Sequence, residues 1–247
     1  VYWPAFLIAS GLEMPKHLLV HGWITVSGEK MSKSRANVID PKKFLGVYGA
    51  DCIRYYLTRY MAITQDCDFS IEDLEKRLST DLANNLGNLL NRTLTLAFKN
   101  NCEKTKVIEN WSKESRDLQN EAHETIKEFA KLMDQCSFHL ALAEVFKFIN
   151  KVNAYFHEQE PWKKVKTDQN AFEEAISATC NSLYTIAVLL WPVMPQKMSE
   201  IFTALGIDFD VDKFDSSWLE KVSWDQSFKL KKIAPIFKRF DDSSKKE

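Results

Sequence analysis

The chain has 247 residues, of which 45% are hydrophobic and 12% aromatic, so it can bury a substantial core and is not a disordered protein. Only seven glycines and seven prolines occur, which argues against a turn-rich β-sandwich. The formal net charge of −1 gives no general attraction for a polyanion, so a nucleic-acid partner would need a local basic patch.

The first forty residues carry strand patterns. Residues 18–21 form a short apolar run that predicts a buried strand of a parallel sheet. Residues 23–26 predict a second strand, which meets a turn at Ser27-Gly28. Residues 28–37 hold charges and small polar residues without an apolar period, which predicts a loop. These strands are too few for a complete α/β domain, so we expect the chain to begin inside one.

Helix starts follow this region. Asp40 and Pro41 predict a helix with an aspartate N-cap and a proline in its first turn. Residues 49–51 predict a second start. The segment from Ser70 to Asp73 resembles a capping box in which aspartate replaces the usual glutamate.

Beyond Ser70, apolar residues recur at steps of three and four in several long segments. Each series predicts a helix with one apolar stripe, and together they predict a helical bundle. The series are Leu78, Leu82, Leu86 and Leu89; Leu118, Ala122, Ile126, Phe129 and Met133; Leu142, Val145, Ile149, Val152 and Phe156; and Phe172, Ile176, Cys180, Leu183, Ala187 and Leu190. The predicted fold class is therefore mainly α, with the remnant of an α/β domain in residues 1–69 and a bundle in residues 70–247.

The five cysteines lie far apart in the sequence, at positions 52, 67, 102, 136 and 180. No C-x-x-C pair occurs and their number is odd, so we expect no disulfide framework and no metal site, in a reducing compartment. The longest apolar run, from Tyr184 to Val193, is too short to span a membrane. We expect a cytoplasmic protein, with an organellar location as the alternative.

The clearest chemical signal is a pentapeptide in the predicted loop, Lys30-Met31-Ser32-Lys33-Ser34. Two lysines three positions apart, beside serine hydroxyls, supply the kind of donors that bind phosphate oxygens. For an arbitrary basic loop, a solvated surface would be the better interpretation. The complete pentapeptide is more specific than its charge.

This pentapeptide is the KMSKS signature of the class I aminoacyl-tRNA synthetases, and its surroundings resemble the methionyl-tRNA synthetase family. The segments that carry the resemblance are residues 21–23, 37–41, 48–51, 54–57, 68–70, 81–84 and 86–89, and it extends to about Leu205. The resemblance implies that residues 1–69 end a Rossmann-type catalytic domain. It implies that residues 70–247 form an anticodon-binding bundle with a basic tail.

The resemblance also implies roles for the loop, which would close over ATP and its Mg²⁺ during methionine activation. Lys33 would stabilise the charge that develops on pyrophosphate, and Lys30 would assist from the other end of the loop. The nucleotide-binding residues expected on this basis are His21, Lys30, Met31, Ser32, Lys33 and Ser34.

Other parts of the family pattern do not occur in this sequence. The H-x-G-H signature is absent, and the methionine pocket and the zinc-binding insertion of the family lie further upstream. We therefore expect zinc only in that upstream region. We also predict that this polypeptide alone cannot activate methionine.

A second candidate site lies in the predicted bundle. Asn88 and Arg92 are four residues apart and project from one helix face, where an amide and a guanidinium can read unstacked bases. A solvated polar face is the alternative for such a pair alone. Trp162 follows Pro161 at a predicted helix end, where it would either stack on a base or cap the core. In the methionyl family this set recognises the CAU anticodon, which implies that role for Asn88, Arg92 and Trp162.

The leading hypothesis is the C-terminal part of an enzyme of this family, acting on methionine, ATP and tRNA(Met). A non-catalytic tRNA-binding module is one alternative, but such a module has no use for a pyrophosphate-binding loop. Another class I synthetase is the second alternative, and the anticodon set disfavours it. The chain ends before the dimerisation module that some members of the family carry, so we expect a monomer. Its basic tail would dock on tRNA, dock on the α/β part, or remain solvated.

Overall fold

The computed structural model describes residues 1–31, 39–208, 217–220 and 222–240. Within these ranges the chain is mostly helical, with three short strands near its N-terminus. The helices are α1 (Tyr2–Ala9), α2 (Pro41–Tyr48), α3 (Ala50–Tyr60), α4 (Ile71–Arg77), a π-helix (Leu78–Gly87), α5 (Asn88–Lys99), α6 (Lys113–Asp134), α7 (Phe138–Glu158), α8 (Pro161–Lys164), α9 (Gln169–Leu190), α10 (Pro195–Leu205) and α11 (Ser217–Glu220). No described helix is both long and apolar enough to cross a membrane.

The three strands form one small sheet in the order β2-β1-β3. Strand β1 (Ile24–Val26) is antiparallel to β2 (Glu29–Lys30) and parallel to β3 (Cys67–Asp68). Between β1 and β2, Ser27 and Gly28 have φ values of 55° and 74°, as a tight hairpin turn requires. The predicted strand and turn are confirmed. The predicted loop is wrong at Glu29 and Lys30, which form β2, and its residues 32–37 lie outside the described ranges.

The buried strand predicted at residues 18–21 is absent. Leu18, Leu19 and Val20 are 81%, 50% and 73% exposed, and no strand is formed there. An apolar strand is buried only when neighbouring strands pair with it and helices cover the sheet. The described part of the chain provides no such cover at these residues, so this prediction is wrong.

The predicted helix starts are confirmed: α3 begins at Ala50, and the other two helices begin with side-chain caps. The Asp40 side chain accepts a hydrogen bond from the Lys42 backbone N–H at 3.0 Å, and Pro41 is the first residue of α2. The Ser70 hydroxyl accepts one from the Asp73 N–H at 3.2 Å at the start of α4. These local rules fix where the helices begin, because a capping side chain satisfies a backbone donor that lacks a partner within the helix.

Helix α9 is the central element of the bundle and differs from its prediction. Every residue from 175 to 190 is buried, so a single apolar stripe is wrong for this helix. Thr179, Ser182 and Thr185 fit in the core because each hydroxyl donates to the carbonyl four residues earlier, at 2.8–2.9 Å. Helices α6, α7 and α10 pack around α9.

One continuous helical rod leads from α4 through the π-helix into α5. Leucines at steps of four, four and three predict a helix here, but they do not distinguish α from π hydrogen bonding. Residues 222–240, which we call the C-terminal strap, run beside this rod. Leu230 donates its backbone N–H to the Glu103 carbonyl at 2.7 Å, and Phe240 donates to the Ser79 hydroxyl at 2.9 Å. The described part of the basic tail is therefore docked through its backbone on the π-helix and on the segment that follows α5.

Candidate functional site

Helix α5 presents the predicted base-reading pair on one side. Asn88 is its first residue and Arg92 lies one turn later, about 6 Å along the axis. Both side chains are half-buried. The opposite side of the helix is anchored in the core by Leu89, Leu90, Thr93, Leu94 and Ala97. The apolar periodicity therefore determines which way Asn88 and Arg92 face.

Arg92 is held by two aromatic rings from distant parts of the sequence. Its guanidinium carbon lies 5.0 Å from the centre of the Phe156 ring and 5.6 Å from the centre of the Trp162 ring. Both distances are within the range of cation–π attraction. Because Phe156 is only 1% exposed, it is a fixed support. Stacking constrains the plane of the guanidinium, whose N–H donors lie around its edge.

Trp162 reaches this position because the backbone reverses after α7. Glu160 adopts a left-handed conformation with φ 43° and ψ 52°, and Pro161 then starts α8. The indole packs on the end of α7, with ring centres 6.2 Å from Phe156 and 6.0 Å from His157. Trp162 is half-buried, so it borders the core and also keeps part of its surface exposed. The three predicted residues thus lie on one side of the bundle.

An amide cluster next to this site was not predicted from the sequence. Asn85 donates from its side-chain amide to the Asn150 side-chain oxygen at 2.8 Å, and its own oxygen accepts from the Asn153 amide at 2.7 Å. These bonds join the π-helix to α7, one turn before Asn88. The signal available in the sequence is a pair of asparagines three residues apart in each helix, at 85 and 88 and at 150 and 153.

The KMSKS loop is described only at its start, since Ser32, Lys33 and Ser34 lie outside the described residues. Lys30 ends β2, and its amino nitrogen lies 3.5 Å from the centre of the Trp23 ring. Met31 lines an apolar cleft of about 180 Å³ together with Ile24, Ile39 and Phe44. Lys30 and Met31, the described start of the loop, therefore lie against an indole and an apolar cleft.

His21 lies beside the same sheet and is exposed. Its Nδ1 is 2.8 Å from the carbonyl oxygen of Gly22, and the Gly22 N–H donates to the Ile63 carbonyl at 2.7 Å. A Cβ on Gly22 would lie 2.1 Å from the Gln65 carbonyl oxygen, so this close backbone contact requires glycine. The close packing of Gly22 fixes the backbone next to His21, three residues before β1 begins.

Tyrosine–carboxylate hydrogen bonds connect helices α2 and α3 to the helical rod. Tyr48 at the end of α2 donates to Glu75 at 2.8 Å, and Tyr55 and Tyr60 of α3 both donate to Asp81 of the π-helix. Burial, together with the hydrogen bond and negative charge of Glu75, raises the pKa of Tyr48 to about 12. Burial is also the largest cause of the raised pKa of Tyr55. These phenols therefore stay protonated and act as donors at neutral pH.

Among the described residues, no group of three or more histidine, cysteine, aspartate or glutamate side chains is arranged to hold a metal ion. The five cysteines are all free thiols. The pKa of Cys52 and that of Cys102 are both raised to about 11, and burial is the largest cause for each thiol. Both thiols are therefore protonated at neutral pH.

Comparison with known proteins gives a consistent result along the chain. A family described as "tRNA synthetases class I (M)" matches residues 1–94, and the "Anticodon binding domain of methionyl tRNA ligase" matches residues 108–247. Similar curated proteins include the methionine–tRNA ligases of Fusobacterium nucleatum, 36% identical over 98% of this chain and 38% of that protein, and of Lactiplantibacillus plantarum, 41% identical over 84% of this chain and 31% of that protein. The chain therefore spans less than two-fifths of the length of these relatives.

Solved structures agree with the sequence matches. Mycobacterium tuberculosis methionyl-tRNA synthetase in complex with methionyl-adenylate superposes with a TM-score of 0.87, at 32% identity, over 97% of this chain and 47% of that one. The apo form of the same enzyme gives a TM-score of 0.84. These matches confirm the predicted fold class, with α/β structure followed by a helical anticodon-binding bundle. The chain belongs to the methionyl-tRNA ligase family of the class I aminoacyl-tRNA synthetases.

Proposed function

We propose that this chain supplies the KMSKS loop and the anticodon-reading bundle of a methionine–tRNA ligase. In this proposal the complete enzyme activates methionine with ATP and transfers it to tRNA(Met). The observation that carries the proposal is the position of Arg92 against both Phe156 and Trp162. It brings together two of the predicted anticodon-binding residues from separate helices.

The anticodon CAU is read, in this proposal, by three kinds of contact. Trp162 stacks on an unpaired base through its exposed surface, a contact worth about 1–3 kcal/mol. Arg92 has only donors, so it suits acceptor atoms on a base edge, whereas Asn88 offers both a donor and an acceptor. Because the two aromatic rings support Arg92 before RNA arrives, less conformational freedom is lost on binding.

The activation step is proposed for residues 1–69, as the end of the catalytic domain, with residues 70–247 as the bundle. The methionine carboxylate attacks the α-phosphorus of ATP, the bond to the β-phosphate oxygen breaks, and pyrophosphate leaves. Lys33 stabilises the negative charge that builds on this leaving group, and Lys30 assists. His21, Met31, Ser32 and Ser34 complete the nucleotide contacts. Mg²⁺ enters with ATP.

We also propose that the 247-residue polypeptide does not activate methionine by itself. The sequence contains no H-x-G-H tetrapeptide, which the family uses at the nucleotide. An ATP–pyrophosphate exchange assay should therefore show only the background rate, and methionine-dependent turnover would contradict this part of the proposal. We further propose that the protein is a monomer and that zinc, if the enzyme binds it, is held only in the upstream region. The proposed location is cytoplasmic, with an organellar location as the alternative.

Gel-shift titration of the Trp162→Ala variant tests the anticodon part. We expect this variant to lose most of the discrimination between tRNA(Met) and transcripts with altered anticodons, because Trp162 also supports Arg92, whose donors read the base edge. An equal loss of affinity for every tRNA, with discrimination retained, would show that Trp162 is only a structural residue.

A further inference from the structure

A second, open cleft lies beside the proposed anticodon site. It has a volume of about 400 Å³ and is formed between α5 and the C-terminal strap. Asn91, Thr95 and Lys99 line it from the helix, and Lys232 lines it from the strap. All four side chains are exposed. Its polar lining consists of amide, hydroxyl and ammonium groups.

The cleft continues the helix face that carries the proposed base-reading pair. Asn88, Arg92, Thr95 and Lys99 follow one another at steps of four, three and four residues, so they occupy one side of α5. Eleven residues at the α-helical rise place Lys99 about 16 Å from Asn88 along the axis. A single-stranded RNA whose bases contact Asn88 and Arg92 therefore has its backbone within reach of the cleft.

Lys99 and Lys232, the two lysines that line the cleft, differ from the ion-paired lysines of the bundle. Among the described residues, no carboxylate oxygen lies within 4.0 Å of the amino groups of Lys99 or Lys232. Seven lysines elsewhere are ion-paired: Lys106, Lys127, Lys131, Lys147, Lys151, Lys163 and Lys197. The charges of Lys99 and Lys232 are therefore not neutralised by an ion pair with a described carboxylate.

The strap holds Lys232 in a defined place. Lys231 donates its backbone N–H to the Ala204 carbonyl at 2.8 Å, and the Lys232 amino nitrogen lies 4.9 Å from the centre of the Phe98 ring. Gly206 follows the last residue of α10. A Cβ at this position would lie 1.9 Å from the Lys229 carbonyl oxygen, so the strap packs directly against the C-terminal end of α10. Lys99 is therefore carried by helix α5, and Lys232 is carried by a strap segment whose backbone is hydrogen-bonded to α10.

We infer that this cleft binds the phosphate backbone of the RNA next to the anticodon. Lys99 and Lys232 contact phosphate oxygens as point charges, and Asn91 and Thr95 add neutral donors, as such side chains do at phosphates. These contacts carry no base information. They add affinity for the RNA without favouring one anticodon over another. The inference rests on the proposed function, because it takes tRNA as the ligand.

The test is a salt titration with the 247-residue chain and a labelled anticodon stem-loop RNA containing CAU, or GAU for comparison. Binding is followed by fluorescence anisotropy over a series of KCl concentrations. In the Lys99→Gln/Lys232→Gln variant, the slope of log K against log[salt] should become shallower by about 1.4, since each lost phosphate contact on a single strand removes about 0.7. The ratio of affinities for CAU and GAU should not change.

Two control variants make the result specific. Lys99→Arg/Lys232→Arg keeps both charges and should keep the wild-type slope. Lys127→Gln/Lys131→Gln removes two lysines that are already ion-paired on α6 and should leave the slope unchanged. An unchanged slope in the Lys99→Gln/Lys232→Gln variant would overturn the inference, and so would a changed CAU/GAU ratio in that variant. The wild-type CAU/GAU ratio tests the proposed function separately.

Discussion

Arg92 and Phe156 lie on different helices, and the guanidinium of one is 5.0 Å from the ring centre of the other. Phe156 is a core residue, at 1% exposure, whereas Arg92 belongs to the surface that we propose for RNA. The contact therefore connects the packing of the bundle to the geometry of the candidate site. A change in the core at this point should alter RNA recognition without any contact to RNA.

Phe156→Leu tests this connection. The substitution keeps an apolar side chain but removes the aromatic face below Arg92, a cation–π contact of about 0.5–1 kcal/mol at partly exposed sites. We expect the affinity ratio between CAU and GAU stem-loops to fall several-fold, measured by gel shift. Urea denaturation should show that the chain remains folded.

Phe148→Leu is the matched control. Phe148 lies two turns earlier in α7 and is equally buried, at 1% exposure, so its replacement costs comparable packing energy. We expect it to lower the free energy of unfolding and leave the CAU/GAU ratio intact. If both variants reduce the ratio equally, Phe156 acts only through general stability.

Asn85→Ala should weaken recognition through the amide cluster. It removes two hydrogen bonds that join the π-helix to α7, and the net cost of each is about 1 kcal/mol. We expect a lower free energy of unfolding and several-fold weaker binding of the CAU stem-loop, because Asn88 begins the next turn. Asn84→Ala, at an exposed neighbouring position, should change neither quantity. If Asn84→Ala lowers stability and binding as much as Asn85→Ala does, the hydrogen bonds of the cluster do not support RNA binding.

Gly206→Ala should release the C-terminal strap. Gly206 has φ 74°, a conformation that favours glycine, and an added Cβ would collide with the Lys229 carbonyl. We expect a loss of more than about 1 kcal/mol in unfolding free energy and faster proteolysis within residues 222–240. Gly46→Ala in α2, where nothing lies within 4 Å of the added Cβ, should be neutral or slightly stabilising. A proteolysis rate in Gly206→Ala equal to that of the wild type would contradict the close packing of the strap against Gly206.

Glu174 of α9 should make the stability of the bundle depend on pH. Its burial raises the pKa of the carboxyl, but hydrogen bonds from Ser112 and Ser115 outweigh this, so the pKa is lowered from 4.5 in the folded chain. A lowered folded-state pKa contributes stability above pH 4.5, and this contribution is lost as the pH falls through the folded-state value. Urea midpoints measured from pH 6 downward should fall less steeply in Glu174→Gln than in the wild type. Parallel curves would show that Glu174 is not coupled to folding.

Local chemistry explains which parts of the fold could be predicted from the sequence. The caps at Asp40 and Ser70 involve residues two or three positions away, so the sequence contains the whole interaction. The burial of α9 on all sides depends on α6, α7 and α10 packing around it, which no periodicity within α9 reveals. Residues 18–21 show the reverse case, because an apolar run becomes a buried strand only where other elements cover it.

The candidate site divides in the same way. The spacing of Asn88 and Arg92 places them on one face, and that could be read directly from the helix period. Phe156 could be predicted only as a core residue, because its contact with Arg92 spans two helices. The Asn85 cluster was not predicted for the same reason. The resemblance to a family supplied the link to Trp162, which no local rule gives.

The affinity ratio between CAU and GAU stem-loops, measured for the wild-type chain and for Arg92→Gln, tests the central claim most directly. We predict that the wild type prefers CAU by about tenfold or more, since one lost hydrogen bond to a charged donor costs about 1.5–3 kcal/mol. Arg92→Gln should bring the ratio close to one while the chain stays folded. A wild-type ratio of one, or a preference that survives in Arg92→Gln, would contradict the account.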